Sequence, residues 1–137
     1  MKRYILLFVL SVIFPLCALS AGDGAIVGRQ TVTFPESSDV ELQSITYMSD
    51  DLRVKGYIAF PKNEGHYPCV IYNRGGNREF SAWTDESAIR NLGKIASWGC
   101  VVVASQYRGN GGGEGKEEFS GTDVNDVLNL LPLLAIL

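Results

Sequence analysis

An α/β fold, in which a β-hairpin precedes a parallel strand–helix–strand unit, is predicted by three observations on this sequence. Two short runs, Cys69-Val70-Ile71-Tyr72 and Cys100-Val101-Val102-Val103-Ala104, are almost purely apolar, the pattern of strands buried on both faces of a parallel sheet. Between them Ala88, Ile89, Leu92, Ile95 and Ala96 recur at helical spacing, with Gly99 just past the end. Upstream, Leu52, Val54, Gly56, Ile58 and Phe60 alternate with Arg53, Lys55, Tyr57 and Ala59, which predicts a strand with one face inward and one toward water. A strand, a helix and a strand in this order form a βαβ unit, so the two apolar runs are expected side by side and parallel.

The chain has 137 residues, 46% hydrophobic and 20% charged, which bounds it to one ordinary globular domain with a small core. Its first residues stand apart from that domain. Lys2 and Arg3 precede an apolar run from Tyr4 to Leu16, and the small residues Ala18, Ser20 and Ala21 follow. That order is a secretory signal, assigned to residues 1–21, with cleavage after Ser20 or Ala21. Pro15 and the small-residue exit make the run short for a membrane span, and the bulky Leu16 before Cys17 argues against lipid attachment. Loss of Lys2 and Arg3 with the leader takes the formal charge from −3 to about −5, which implies no nucleic-acid partner; no membrane association is expected after cleavage. Cys69 and Cys100 then remain as cysteines. Export permits a disulfide, but two cysteines inside apolar strands are expected to be buried free thiols. With His66 the sole histidine, no metal site is expected, nor any cofactor.

Residues 22–39 form a leader arm, either a strand through Ile26, Val27, Val32 and Phe34 or a loose segment. From Val40 the pattern sharpens. Leu42, Ile45, Tyr47 and Met48 lead to the turn Ser49-Asp50-Asp51 and the alternating strand after it, a hairpin that Pro61 ends. The apolar strand at Cys69 should be central in the sheet. Asn73-Arg74-Gly75-Gly76-Asn77 follows it with a backbone that turns sharply and lies bare, as suits N–H groups that hold an oxyanion. The helix after it starts at Thr84 or Asp85, and Gly93 within it suits close packing on a sheet. After the second apolar strand, Tyr107-Arg108-Gly109-Asn110 opens a glycine-rich stretch through Gly111, Gly112, Gly113 and Gly115. This is either a flexible crossover or a loop beside a ligand at the carboxyl end of the sheet. It is no phosphate loop, because GxxxxGK[ST] does not occur. A last helix begins at Thr122 or Asp123 with Val124, Val127, Leu128 and Leu131 as its inner stripe, and Pro132 interrupts it. The apolar end at Leu137 suggests a domain that is cut short.

Together the hairpin ITYMSDDLRVKGYIAFP, the turn YNRGGN, the strand and loop VVVASQYRGNGGGEG and the helix opening TDVNDVLNLL resemble the catalytic domain of the prolyl oligopeptidase family, serine peptidases of the α/β-hydrolase fold. The resemblance covers roughly Val40 to Leu134. It implies a partial α/β-hydrolase fold over residues 40–137, truncated before the nucleophile elbow. It also implies that Arg74 and Gly75 lie in the loop that donates one oxyanion-hole N–H, with Arg74 where some members carry a Tyr hydroxyl donor. Arg108 and Gly109 match the Arg-Gly after the fourth strand, candidates for a substrate loop, and Asp123 and Asp126 match the acidic start of the helix before the nucleophile.

The departure from the family is equally informative. Its members carry the nucleophile in GxSxG, followed by Asp and His, and GxSxG is absent from these residues. Phe119-Ser120-Gly121 lacks the preceding glycine and sits on a loop before a helix, so Ser120 is not the nucleophile. His66, in the polar loop before the oxyanion strand, is at the wrong end of the sheet for the base. The expectation is therefore part of an exported serine hydrolase, acting on peptide or ester bonds in its full form and inactive as given. The alternatives are a binding or assembly module on the same fold, and an esterase. N-terminal sequencing of the exported protein should begin at Ala21 or Gly22; intact Met1 in the membrane fraction would instead identify an anchor.

Overall fold

The computed structural model describes residues 21–33, 39–76 and 78–135; the signal sequence lies outside them, apart from Ala21. A single five-stranded mixed sheet organises the chain, in the order β1-β2-β3-β5-β4. Strands β2 (Val40–Ser49) and β3 (Leu52–Pro61) are the expected hairpin, paired from Val40↔Pro61 to Ser49↔Leu52. Its two-residue turn puts Asp50 at φ 49° and Asp51 at φ 62°, the left-handed pair that matches the twist of a hairpin and that aspartate tolerates well.

The leader arm is a strand. β1 (Ile26–Val32) runs antiparallel to β2, and Gly24 before it packs so tightly that a Cβ there would lie 2.7 Å from Pro132 Cγ and 2.8 Å from the Asn129 carbonyl oxygen. At φ +78°, Gly24 suits both the turn and the close approach.

Strands β4 (Cys69–Ile71) and β5 (Val101–Ser105) are parallel, with Cys69↔Val101, Val70↔Val102 and Ile71↔Val103 in register. The helical connection between them is built of α1 (Asp85–Ala88), a wider π-helical turn at Ile89–Gly93 and α2 (Lys94–Ala96). Thr84 caps it: its hydroxyl accepts from Ser87 N–H while the Ser87 hydroxyl accepts from Thr84 N–H, a reciprocal box that satisfies two otherwise orphaned donors. Ala88, Leu92 and Ala96 are buried against Leu42, Tyr57, Ala59, Val102 and Ala104, and Gly93 is buried too, as the spacing predicts.

Five expectations are corrected. Strand β3 does not show one face to water: Tyr57 and Ala59 are buried under the helix, while Val54 and Ile58 are buried on the opposite face with Ile45, Tyr47 and Val103. The alternation is genuine, but β3 lies in the middle of the sheet and both its faces are covered. Strand β4, expected to be central, is at the sheet edge among the described residues, and Cys69 is exposed; Cys69 and Cys100 are free thiols, as expected, without being buried.

The other two corrections concern the last helical segment, which divides into α3 (Val124–Leu128) and α4 (Leu130–Leu134). Its inner face is not Val124, Leu128 and Leu131, which are 48%, 53% and 55% exposed, but Asp126, Leu130 and Leu133, all at 0%. The break falls at Asn129, ahead of Pro132. A proline ring clashes with the carbonyl four residues before it, here that of Leu128 where α3 ends, whereas within the first turn of α4 its missing N–H costs nothing.

A direct comparison checks the rotation of this helix. Leu130→Ala should lower unfolding free energy by about 2–5 kcal/mol in urea melts, and Leu128→Ala should stay within about 0.5 kcal/mol. Equal losses would show that the sequence stripe faces the core after all.

Candidate active site

In open sheets with parallel strands, ligands collect beyond the carboxyl ends of those strands, here after Ile71 and Ser105. A cavity of about 340 Å³ lies there, lined by Asn73, Arg74, Gly76, Tyr107, Glu117 and the start of α3. A larger one, about 630 Å³, is at the opposite ends of the strands, between the 62–67 loop and Leu134, and includes His66, Tyr67 and Cys69 in its wall. The smaller cavity is the better site, because both glycine-bearing loops reach it. His66 is on the far side, as expected, and Ser120 lines the smaller cavity from an exposed loop position.

Gly75 is exposed, a Cβ there would meet nothing within 4 Å, and its N–H has no acceptor among the described residues. It is thus free to serve an incoming oxygen. The Arg74 guanidinium is not. Its Nε and Nη2 donate to the Gln106 carbonyl at 3.3 and 2.9 Å, Nη2 also to the Arg78 carbonyl at 2.8 Å and Nη1 to the Phe80 carbonyl at 2.8 Å. Glu117 lies 3.7 Å from Nη2, and the group sits 4.9 Å from the centre of the Tyr107 ring. With the side chain bound across its own loop, the guanidinium is committed to backbone carbonyls: the arginine staples Arg78 and Phe80 to the end of β5. Gln106 reinforces the staple, exchanging hydrogen bonds with both backbone groups of Trp83 at 2.8 and 2.6 Å.

Arg108 is equally occupied. It donates from its backbone N–H to Asp126 Oδ2 at 2.6 Å and from Nη2 to Asp126 Oδ1 and Asp50 Oδ2, both at 2.8 Å; Nη1 donates to Thr122 Oγ1 at 2.9 Å. Hydrogen bonds to the Asp126 carboxylate hold this guanidinium still more firmly protonated than usual. Gly109 turns the chain at φ +77°, where a Cβ would lie 2.8 Å from the Gly115 carbonyl oxygen. The loop from Arg108 to Gly115 is tied by backbone hydrogen bonds: Gly109 N–H donates to Glu114 O, and Glu114 N–H to Arg53 O, both at 2.8 Å. Arg108 and Gly109 are not among the residues that line the cavity.

The sequence reading missed Tyr107, Gln106 and Glu117, and missed that Asp126 is buried. Asp126 shares a helical face with Leu130 and Leu133, which is the signal that an acid there must have a buried partner. Tyr107 sits at φ 64°, uncommon for a bulky residue and a strain of about 1–3 kcal/mol; no sequence pattern marks it.

No protein-family model matches the chain. It is 42% identical over 102 residues to a Bacillus subtilis protein described as the uncharacterised peptidase YtmA, a match that covers 74% of this chain and 38% of that one. The chain thus spans well under half the length of this relative. Among solved structures, a hypothetical protein from Pseudomonas aeruginosa superposes with a TM-score of 0.57 at 17% identity, over 76% of this chain and 33% of its own; the two share a fold. An acetyl xylan esterase from Paenibacillus sp. R4 gives 0.48 at 23% identity, over 69% and 29%.

The Asp50 carboxylate is held below its ordinary range by hydrogen bonds from Arg108 and then Asn125. A depressed native pKa adds stability above the unfolded value, about 3.9, and loses it as pH falls through the lower native value. Wild type should therefore melt above Asp50→Asn near pH 6, with the gap narrowing as the pH is lowered below the unfolded value; a gap that stays constant on acidification would show that Asp50 carries no linked charge.

Proposed function

We propose that this chain is the amino-terminal part of an exported serine hydrolase of the α/β-hydrolase type, akin to the prolyl oligopeptidases, that cleaves peptide bonds through an acyl-serine intermediate. In this reading the chain supplies the oxyanion-binding loop, and the GxSxG nucleophile, the acid and the base lie in sequence outside these residues. The observation that carries it is the 42% identity over 102 residues to a protein described as a peptidase. The geometry supports it through a bare Gly75 N–H beside a cavity at the carboxyl ends of the parallel strands. The leader over residues 1–21 would direct export, and residues 40–137 would form the first part of the catalytic domain.

Each group then has a task. A serine oxygen attacks the scissile carbonyl, whose oxygen gains negative charge and takes a hydrogen bond from Gly75 N–H. One such donor is worth about 10²–10³ in rate. It acts with little reorganisation, because the Arg74 staple holds the loop before substrate arrives. Without the triad only binding and this donor remain, so the chain alone is inactive.

The test joins residues 40–135 to the portion of the Bacillus subtilis relative beyond the match. A fluorophosphonate should label one serine of the hybrid, in the added portion, and leave the 137-residue chain unlabelled. Gly75→Pro, which removes the N–H, should lower kcat about 100-fold, while Gly75→Ala, with open space around it, should be near neutral. A hybrid that melts cooperatively yet stays unlabelled would sink this reading and favour a binding module.

A further inference from the structure

We infer that Tyr107 is a positioning residue that fixes the direction of the Gly75 N–H at the carboxyl end of the sheet. The argument starts from the peptide between Arg74 and Gly75. Cis bonds are absent from the described residues, and in a planar trans peptide the carbonyl and the N–H point in opposite directions. Whatever holds the Arg74 carbonyl therefore sets where the Gly75 N–H points. Tyr107 Oη donates to that carbonyl oxygen at 3.3 Å.

The phenol is itself held in place. Its ring packs beneath the Arg74 guanidinium, 4.9 Å from the ring centre, an attraction between a cation and the ring face. Its backbone N–H donates to Ser105 Oγ at 2.9 Å. Ser105 Oγ is 2.7 Å from Tyr47 Oη, whose single proton goes to the Asp126 carbonyl at 2.6 Å, so the serine is the donor to Tyr47. Through these bonds Tyr107 rests on the fully buried Asp126. The left-handed backbone at Tyr107, φ 64°, is the conformation that the surrounding bonds impose, and strain of this kind collects where a site requires it. Tyr107 also lines the 340 Å³ cavity together with Asn73, Arg74 and Gly76, so the residue that holds the Arg74 carbonyl is itself part of the cavity wall. The catalytic value of this arrangement rests on the oxyanion reading of Gly75; the geometry does not.

The two are separable by experiment. In the full 137-residue chain, residual dipolar couplings report the direction of each N–H. Tyr107→Phe keeps the ring and its stacking and deletes only the hydroxyl. The Gly75 coupling should change or collapse toward zero in this variant, while those of Val102, Val103 and Val127 stay as in the wild type. An unchanged Gly75 coupling, or equal changes throughout β5 and α3, would overturn the inference. Should the Phe variant fail to fold, Tyr107→Asn replaces it, since asparagine tolerates the left-handed backbone, with the same outcomes. In the hybrid enzyme, Tyr107→Phe should lower kcat about 10- to 100-fold with KM unchanged, as a misaimed group does. If the coupling moves and kcat does not, Tyr107 still positions the peptide and it is the oxyanion reading of Gly75 that fails.

Discussion

The ion pair between Arg108 and Asp126 is the constraint on which the rest of this structure depends. Asp126 is fully buried, and its carboxylate takes hydrogen bonds from Arg108 N–H, from Arg108 Nη2 and, at 2.7 Å, from Ser49 Oγ. Three segments far apart in sequence meet there: the hairpin turn, the end of β5 and the first turn of α3. Bringing two charges out of water costs several kcal/mol each, and breaking such a pair on one side typically costs about 3–5 kcal/mol. That scale exceeds the gain from turning one more leucine inward, about 1.5–3 kcal/mol. The helix therefore rotates to bury its aspartate and leaves Leu128 and Leu131 outside.

From this anchor the order of the site follows outward. Ser105 and Tyr47 carry it to Tyr107, and Tyr107 with Arg74 carries it to the glycine loop. Burial raises the phenol pKa of both Tyr47 and Tyr107 above the ordinary value, so both remain donors across the physiological range. The two arginines at the carboxyl end of the sheet might be mistaken for ligand-binding cations, yet each has its guanidinium committed to protein oxygens. Their work is to fix backbone. A site built to stabilise developing charge gains most from donors that do not move when the charge appears.

Much of the fold was legible in the residues. The hairpin, its turn, the capped helix and the parallel pair all follow from local pattern, because each is decided by neighbours within one or two turns of chain. What local pattern cannot report is which elements lie next to each other. Tyr57 and Ala59 read as solvent-facing because alternation gives the two faces of a strand without saying whether the second is covered. Cys69-Val70-Ile71 reads as central because apolar runs suit central strands, whereas its place in the sheet order is set by pairing. At the site, Arg74, Gly75, Arg108 and Gly109 were singled out by the resemblance of their motifs, which says nothing of what the arginine side chains bind. An arginine beside glycines looks available until its acceptors, backbone carbonyls that no sequence displays, are seen.

The larger cavity shows why size alone does not choose a site. Its walls include Ile58, Phe60, Val101 and Leu134, side chains that pack around the core cluster on the α3/α4 face of the sheet, with Arg29, Lys62, Asn63 and His66 around them. Those polar groups come from one loop and one edge strand. The smaller cavity has the reverse character: modest volume, a bare N–H, a strained tyrosine and two loops that are each hydrogen-bonded shut. Volume records where packing is incomplete, whereas preorganisation records where backbone and side chains have been held in one geometry at an energetic cost. The second is the property that chemistry uses, and in this chain it is concentrated between Gly75 and Tyr107.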